Sequence, residues 1–104
     1  MTKFHIGWHK NPSLIPEDPV KNVKQNLSLL EMVKADLKSG KLIDWGTYCD
    51  AASGYCIIEG TETDITPTLL KWVPYIQFDA PKPIINVDQT IEAINKCAAQ
   101  LKTK

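Results

Sequence analysis

Residues 42–60, Leu-Ile-Asp-Trp-Gly-Thr-Tyr-Cys-Asp-Ala-Ala-Ser-Gly-Tyr-Cys-Ile-Ile-Glu-Gly, decide the fold that this sequence predicts. β-branched and aromatic side chains dominate 42–50 and 55–59, and such side chains favour strands. Four small residues at 51–54 separate the two runs, which is a typical hairpin loop length. The stretch therefore predicts two antiparallel strands, the second closed by Gly60.

A strand is predicted at the start of the chain. Over residues 3–9, Phe4, Ile6 and Trp8 alternate with a second set of positions, and a period of two is that of a strand. Residues 10–18 contain two prolines and form a predicted loop.

A long helix is predicted between this strand and the hairpin. Asp18 suits the N-cap and Pro19 the first helical position, while Gly40 suits a left-handed C-cap. Apolar residues recur every three or four positions in between, as in an amphipathic helix. We expect the seam buried against the sheet to contain Val23, Leu27 and Leu30.

Three further elements are predicted after the hairpin. A short helix runs over about 65–72, capped by Thr63 or Asp64, and a strand runs over 75–79 before two prolines interrupt it. Asn86 caps a last amphipathic helix, with a glutamine three residues later in a capping-box arrangement.

The element order predicts an α+β fold and a single domain over residues 1–104. The order β-α-β-β-α-β is the ferredoxin-like motif, here with an extra C-terminal helix. Two helices cover one face of a four-stranded antiparallel sheet and leave the other face bare. A bare face carrying Trp, Tyr and Ile is a large apolar patch, so we expect a homodimer formed sheet against sheet.

Three segments resemble a known superfamily. They are the helix 18–37, the hairpin from Trp45-Gly46 to Gly54-Tyr-Cys-Ile-Ile-Glu59, and Leu70-Lys-Trp-Val-Pro-Tyr75 leading into Pro83-Ile-Ile-Asn-Val-Asp88. Together they resemble the small dimeric α/β-barrel proteins, which include muconolactone isomerase and antibiotic-biosynthesis-type monooxygenases. The resemblance implies a dimeric α/β barrel. It implies no catalytic residue, because the matching motifs are features of the fold and none is a catalytic signature.

Composition excludes several classes of function. Twelve Lys balance twelve acidic residues and there is no Arg, which argues against nucleic-acid binding. No apolar run approaches the roughly 20 residues of a membrane helix, and residues 1–20 lack a signal-peptide pattern. We therefore expect a cytoplasmic protein without a membrane or nucleic-acid partner.

The three cysteines point to no metal site. Their number is odd and they show neither a CxxC motif nor zinc-like spacing. Three reduced thiols are expected, since cytosolic disulfides are rare. A disulfide between Cys49 and Cys56, across the hairpin, stays open as an alternative.

The two histidines are the residues best suited to acid–base chemistry. His5 and His9 share one strand face, about 13 Å apart at roughly 3.3 Å per residue, which is too far for one metal ion. We expect no metal and no cofactor. Imidazoles titrate near neutral pH, so either can serve as an acid, a base or a ligand donor, or can be an ordinary sheet residue.

A small-molecule site is predicted beside these histidines. The candidate ligand-binding residues are His5, His9, Tyr48 and Tyr55, with loop 10–18 as a lid. The prediction requires Phe4, Ile6 and Trp8 to pack under the helices, because the opposite arrangement would bury the histidines there. The expected function is binding, with or without transformation, of a small organic molecule in a cleft by the sheet. The alternative is a ligand-sensing or structural dimer without catalytic activity, in which aromatic and aliphatic side chains fill that space.

Overall fold

The computed structural model describes residues 2–102, which form both strands and helices. The strands in this range are β1 (Thr2–Lys10), β2 (Asp44–Thr47), β3 (Ser53–Gly60), β4 (Ile76–Phe78) and β5 (Lys82–Ile84). The α-helices are α1 (Pro19–Ser39), α2 (Glu62–Leu70) and α3 (Val87–Lys102). The result is an α+β fold with an open antiparallel sheet, compatible with the ferredoxin-like motif.

The sheet has the order β2-β3-β1-β4, and β5 also pairs with β1. β4 pairs with the end of β1, from Trp8 to Lys10, while β5 pairs with its beginning, from Lys3 to His5. The prediction of four strands is therefore wrong within the described residues, which form five. The interruption by prolines was expected, since proline has no N–H to donate to a ladder.

The core lies between the sheet and the helices α1 and α2. Phe4, Ile6 and Trp8 are 6%, 0% and 6% exposed, so the apolar face of β1 points towards these helices. Val33 of α1 and Ile65 of α2 belong to the same buried cluster. The arrangement on which the site prediction depends is thus the observed one.

The ends of α1 are those predicted from the sequence. The Asp18 side chain accepts a hydrogen bond from the Val20 N–H at 3.0 Å, and Gly40 takes a left-handed conformation with φ of 83°. Asp18 therefore satisfies one of the backbone donors that the first turn leaves unpaired.

The predicted buried seam of α1 is wrong. Val23, Leu27 and Leu30 are 55%, 57% and 39% exposed, whereas Val33 and Asp36 are buried. The helix therefore turns a partly polar face towards the sheet, and two side-chain contacts accompany this orientation, an ion pair and a hydrogen bond. Asp36 pairs with Lys71, and Asn26 accepts a hydrogen bond from Lys10.

Two other boundaries differ from the prediction. β2 is four residues long instead of spanning 42–50, because the chain already turns after Thr47. α2 begins after Thr61 instead of after Thr63 or Asp64. Asp64 accepts a hydrogen bond from the Thr61 N–H at 2.9 Å, and this bond lowers the pKa of its carboxyl group.

α3 is amphipathic and has no covered face. Its start is fixed by the predicted capping box, in which Asn86 and Gln89 each accept a hydrogen bond from the other's backbone N–H, at 2.8 and 2.9 Å. Every described residue of the helix is exposed, including Ile91 and Ile94. The apolar side of α3 therefore packs on nothing within the described part of the chain.

Candidate functional site

The outer face of the sheet, which the helices leave open, carries both histidines. The register pairs His5 with Ile57 and His9 with Ser53, so these side chains alternate with the buried residues of β1. His5 is exposed and His9 is partly buried. This placement follows from the period of two in β1, because burial of one set of side chains sends the other set outward.

The outer face is more polar than the sequence suggested. Trp8 and Trp45 stack with their ring centroids 5.4 Å apart on the helix side, so neither tryptophan lies on the open face. Of the Trp, Tyr and Ile side chains expected on the bare face, the tryptophan is therefore absent. Tyr55 and Ile57 lie there instead, among charged and imidazole side chains.

A cleft of about 270 Å³ lies on this outer face. Three of the four predicted ligand-binding residues line it, namely His5, His9 and Tyr48, together with Asp79 and Lys82. The cleft therefore brings two imidazoles and a phenol together with one carboxylate and one ammonium group. Such a set can accept, donate and orient hydrogen bonds to a small polar molecule.

Tyr55, the fourth predicted residue, borders this cleft through His5. The two rings are parallel within 6°, with centroids 5.8 Å apart. The Tyr55 hydroxyl donates a hydrogen bond to Asp44 at 3.0 Å, and this bond raises the pKa of the phenol. The ring of Tyr55 lies where a side chain at Gly46 would be, so a glycine in the neighbouring strand makes room for it. Tyr55 is thus a fixed, protonated aromatic surface beside His5.

His9 has a partner on the neighbouring strand. Its Nε2 lies 2.9 Å from Oε1 of Gln77, the residue that pairs with it across β1 and β4. Because Gln77 Oε1 is an acceptor, the contact favours the form of His9 that carries a proton on Nε2. In the neutral ring, Nδ1 is then the basic nitrogen.

The sequence did not single out Asp79, although it lines the cleft. Its N–H donates to the carbonyl of Gly7 at 2.9 Å, and its carboxylate occupies the space that a side chain at position 7 would need. Gly7 is the one small residue in an otherwise bulky alternating strand, and this was the available signal. Such a glycine marks a place where another group approaches the backbone closely.

Tyr48 and Asp50 lie in the hairpin turn. Tyr48 is 61% exposed, so its ring is only partly held by the protein. Asp50 accepts a hydrogen bond from the Ala52 N–H at 2.9 Å, which is the turn-forming role that its residue type favours.

Loop 10–18 contributes no residue to the lining of the cleft. Asn11 instead contacts the residues just before β4. Its N–H donates a hydrogen bond to the carbonyl of Tyr75, and its side chain donates one to the carbonyl of Pro74. Gln25 of α1 donates to the carbonyl of Leu14 at 3.3 Å. These contacts hold the loop against α1 and the residues before β4, so the structure gives no support to its role as a lid.

A second cavity lies on the helix side of the sheet and is almost filled. Its volume is about 40 Å³, and Trp8, Trp45 and Trp72 are among the apolar residues that line it. One water molecule has a share of about 30 Å³ of liquid volume, so this space is too small for an organic ligand. The tryptophans therefore act as core residues, and the outer cleft is the better candidate site.

The three thiols are separate. Cys49 and Cys97 are exposed, whereas Cys56 lies in the core, and none forms a disulfide. Burial raises the pKa of Cys56 to about 11, which keeps the thiol protonated and unreactive at neutral pH. The alternative disulfide between Cys49 and Cys56 is thus absent.

Searches for metal sites, membrane spans and relatives add nothing to the site. Within residues 2–102, no three His, Cys, Asp or Glu side chains are grouped to hold a metal ion. None of the helices in that range is long and apolar enough to cross a membrane. Comparison with protein-family models finds no match, and comparison with curated proteins finds none either.

Proposed function

We propose that the chain is a cytoplasmic homodimer that binds a small planar organic molecule in the outer-face cleft. The observation that carries this proposal is the grouping of His5, His9, Tyr48 and Asp79 around one cleft, beside the His5–Tyr55 ring pair. Aromatic surfaces and a few convergent polar groups are the usual lining of a small-molecule site.

The two parts of the lining have different roles. The His5 ring is stacked on Tyr55, so a planar ligand would stack on the face of the His5 ring that points away from Tyr55. Asp79, Lys82 and His9 supply a charged acceptor, a charged donor and an imidazole at the same cleft. Stacking thus provides the apolar contact area with the ligand, while these polar groups select the orientation and the functional group of the ligand.

Dimerisation through the outer face would complete the cleft. Ligand pockets usually enclose about 300–1,000 Å³, so the observed 270 Å³ lies just below this range. A second copy placed sheet against sheet would cover the open side, and its own cleft would add to the volume. The ferredoxin-like element order and the resemblance to dimeric α/β barrels both agree with this arrangement.

Native mass spectrometry of the purified protein tests the proposal. The expected species is a dimer of about twice 11.7 kDa that carries extra mass and releases a small molecule when unfolded. A monomer at micromolar concentration contradicts the dimer. If no molecule is retained, a library of planar aromatic acids and amides is screened against the same protein, and no binder contradicts the site.

Matched tyrosine variants locate the binding of any molecule so identified. Tyr55→Leu should weaken binding at least tenfold, whereas Tyr55→Phe should change it less than threefold because the ring remains. Tyr75→Leu is the control, since Tyr75 is 47% exposed, lies outside the cleft lining and, unlike Tyr55, does not pair with the ring of His5. Equal effects of Tyr55→Leu and Tyr75→Leu would contradict the proposed site.

A further inference from the structure

α3 carries an apolar stripe that nothing within residues 2–102 covers. Its larger members are 72%, 54%, 63% and 66% exposed, and they are Val87, Ile91, Ile94 and Leu101. With Ala98 they recur at steps of four, three, four and three residues, the spacing of a coiled-coil seam. An amphipathic helix of this kind gains its stability mainly from packing, so the stripe needs a partner.

α1 carries a second uncovered stripe on its flank. Its members are 61%, 55%, 57%, 39% and 39% exposed, and they are Val20, Val23, Leu27, Leu30 and Leu37. They lie about a third of a turn around the helix from the buried Val33 and Asp36. The steps are again three and four, with Lys34 at the one seam position that is not apolar.

We propose that these two stripes bind each other between two copies of the chain, so that α3 of each copy lies antiparallel along α1 of the other. In this orientation four of the five positions of the α3 stripe fall opposite an apolar position of the α1 stripe, and Ile91 falls opposite Lys34. Val87 faces Leu37 of the second copy, Ile94 faces Leu30, and Leu101 faces Val23. The small Ala98 falls opposite the larger Leu27, which allows close packing of the two helices.

A second copy fits better than a return of α3 onto its own α1. β5 ends at Ile84 and α3 begins at Val87, so only two residues, spanning at most about 7 Å, connect them. The capping box at Asn86 fixes the entry of the helix. α3 leaves this short connection without packing on α1 of its own chain, since every described residue of α3 is exposed.

The area of the two stripes meets the requirement of a stable dimer. Each copy contributes both its α1 stripe and its α3 stripe, and these side chains expose roughly 90 Å² each. A contact that covered all of this exposed area would bury on the order of 800 Å² per copy, which is the usual size of a specific interface.

Disulfide trapping with two singly substituted chains tests the contact. In a Cys49→Ser/Cys97→Ser background, one chain carries Leu30→Cys and the other carries Ile94→Cys. Oxidation of the mixture should give a crosslinked heterodimer, at least fivefold more than when Ala93→Cys, off the stripe, replaces Ile94→Cys. Crosslinking of the Leu30→Cys chain to itself would indicate an α1–α1 contact and would overturn the proposal. A single chain that carries both Leu30→Cys and Ile94→Cys is a further control. If it forms a disulfide within itself while the mixture of singly substituted chains does not crosslink, the proposal is overturned equally.

A second measurement reads the same contact without cysteines. Ile91→Glu/Ile94→Glu should weaken self-association at least tenfold, while Ala93→Glu should leave it within twofold. Both variants should keep the wild-type tryptophan signal, because α3 contributes no residue to the buried core. Unchanged self-association of the double variant contradicts the inference, and it does so without reference to any ligand.

Discussion

Ile6→Ala and Leu27→Ala each remove three carbon atoms, at two positions that differ in burial. Ile6 is 0% exposed at the centre of β1, whereas Leu27 is 57% exposed on the flank of α1. Each buried carbon is worth about 0.8 kcal/mol, so Ile6→Ala loses roughly 2.4 kcal/mol before the cavity is counted. With the cavity, the expected cost is about 3–4 kcal/mol. Leu27→Ala should cost about 1 kcal/mol or less, because more than half of its side chain is already in water.

Urea unfolding followed by tryptophan fluorescence measures both costs. The protein concentration should be as low as the signal allows, so that association between copies contributes little to the free energy of unfolding. Shifts in the midpoint at a constant slope give the two values. Equal costs for the two variants, or a cost above about 2 kcal/mol for Leu27→Ala, would refute the placement of α1.

Four further experiments test other parts of the fold. The pKa of Cys56 is raised from 9.0 to about 11, so its thiol loses its proton at lower pH in the unfolded protein than in the folded one. Its contribution to the free energy of unfolding should therefore be constant below pH 9 and should fall by about 1.4 kcal/mol per pH unit between pH 9 and 11. Urea unfolding of Cys56→Ala at each pH should lack this fall. Thiol labelling of the folded protein should modify Cys49 and Cys97 quickly and Cys56 only after denaturation, and three equally fast thiols would contradict the core position of Cys56. Gly54→Ala should destabilise the hairpin by about 1–3 kcal/mol or more in the same unfolding assay, because the added carbon would overlap the backbone of β2, and a neutral effect would contradict the β2–β3 register. Asp18→Ala should lower the stability by about 1 kcal/mol through loss of the α1 cap, whereas an unchanged denaturation midpoint would contradict that bond.

Local signals predicted much of the fold. The alternation in β1 and the caps at Asp18 and Asn86 each depend on neighbouring residues alone, and each is observed. The face of α1 could not be predicted in this way. Its most regular apolar stripe contains Leu27 and Leu30, and periodicity alone takes such a stripe for the buried one. The observed rotation instead brings α1 into contacts with residues far away in the sequence, such as Asp36 with Lys71, which a local pattern does not encode.

The candidate site, too, could be predicted from the sequence only in part. The outward direction of His5 and His9 followed from the period of two once Phe4, Ile6 and Trp8 were placed in the core. Asp79 was missed because its approach to Gly7 depends on how β4 ends against β1, and no local pattern encodes that contact. The break between β4 and β5 opens this edge of the sheet and places Asp79 beside the histidines.

The most direct test of the binding site uses the only two histidines of the chain. Their ring signals in a nitrogen- or carbon-edited NMR spectrum can be assigned with His5→Gln and His9→Gln, and each planar acid or amide that binds is then titrated in. The proposed site predicts that both ring signals shift along the titration, with the larger change at His5, whose ring lies parallel to Tyr55. A ligand that binds, as judged by its own signals, while both histidine ring signals stay unchanged would contradict the outer-face cleft as the binding site.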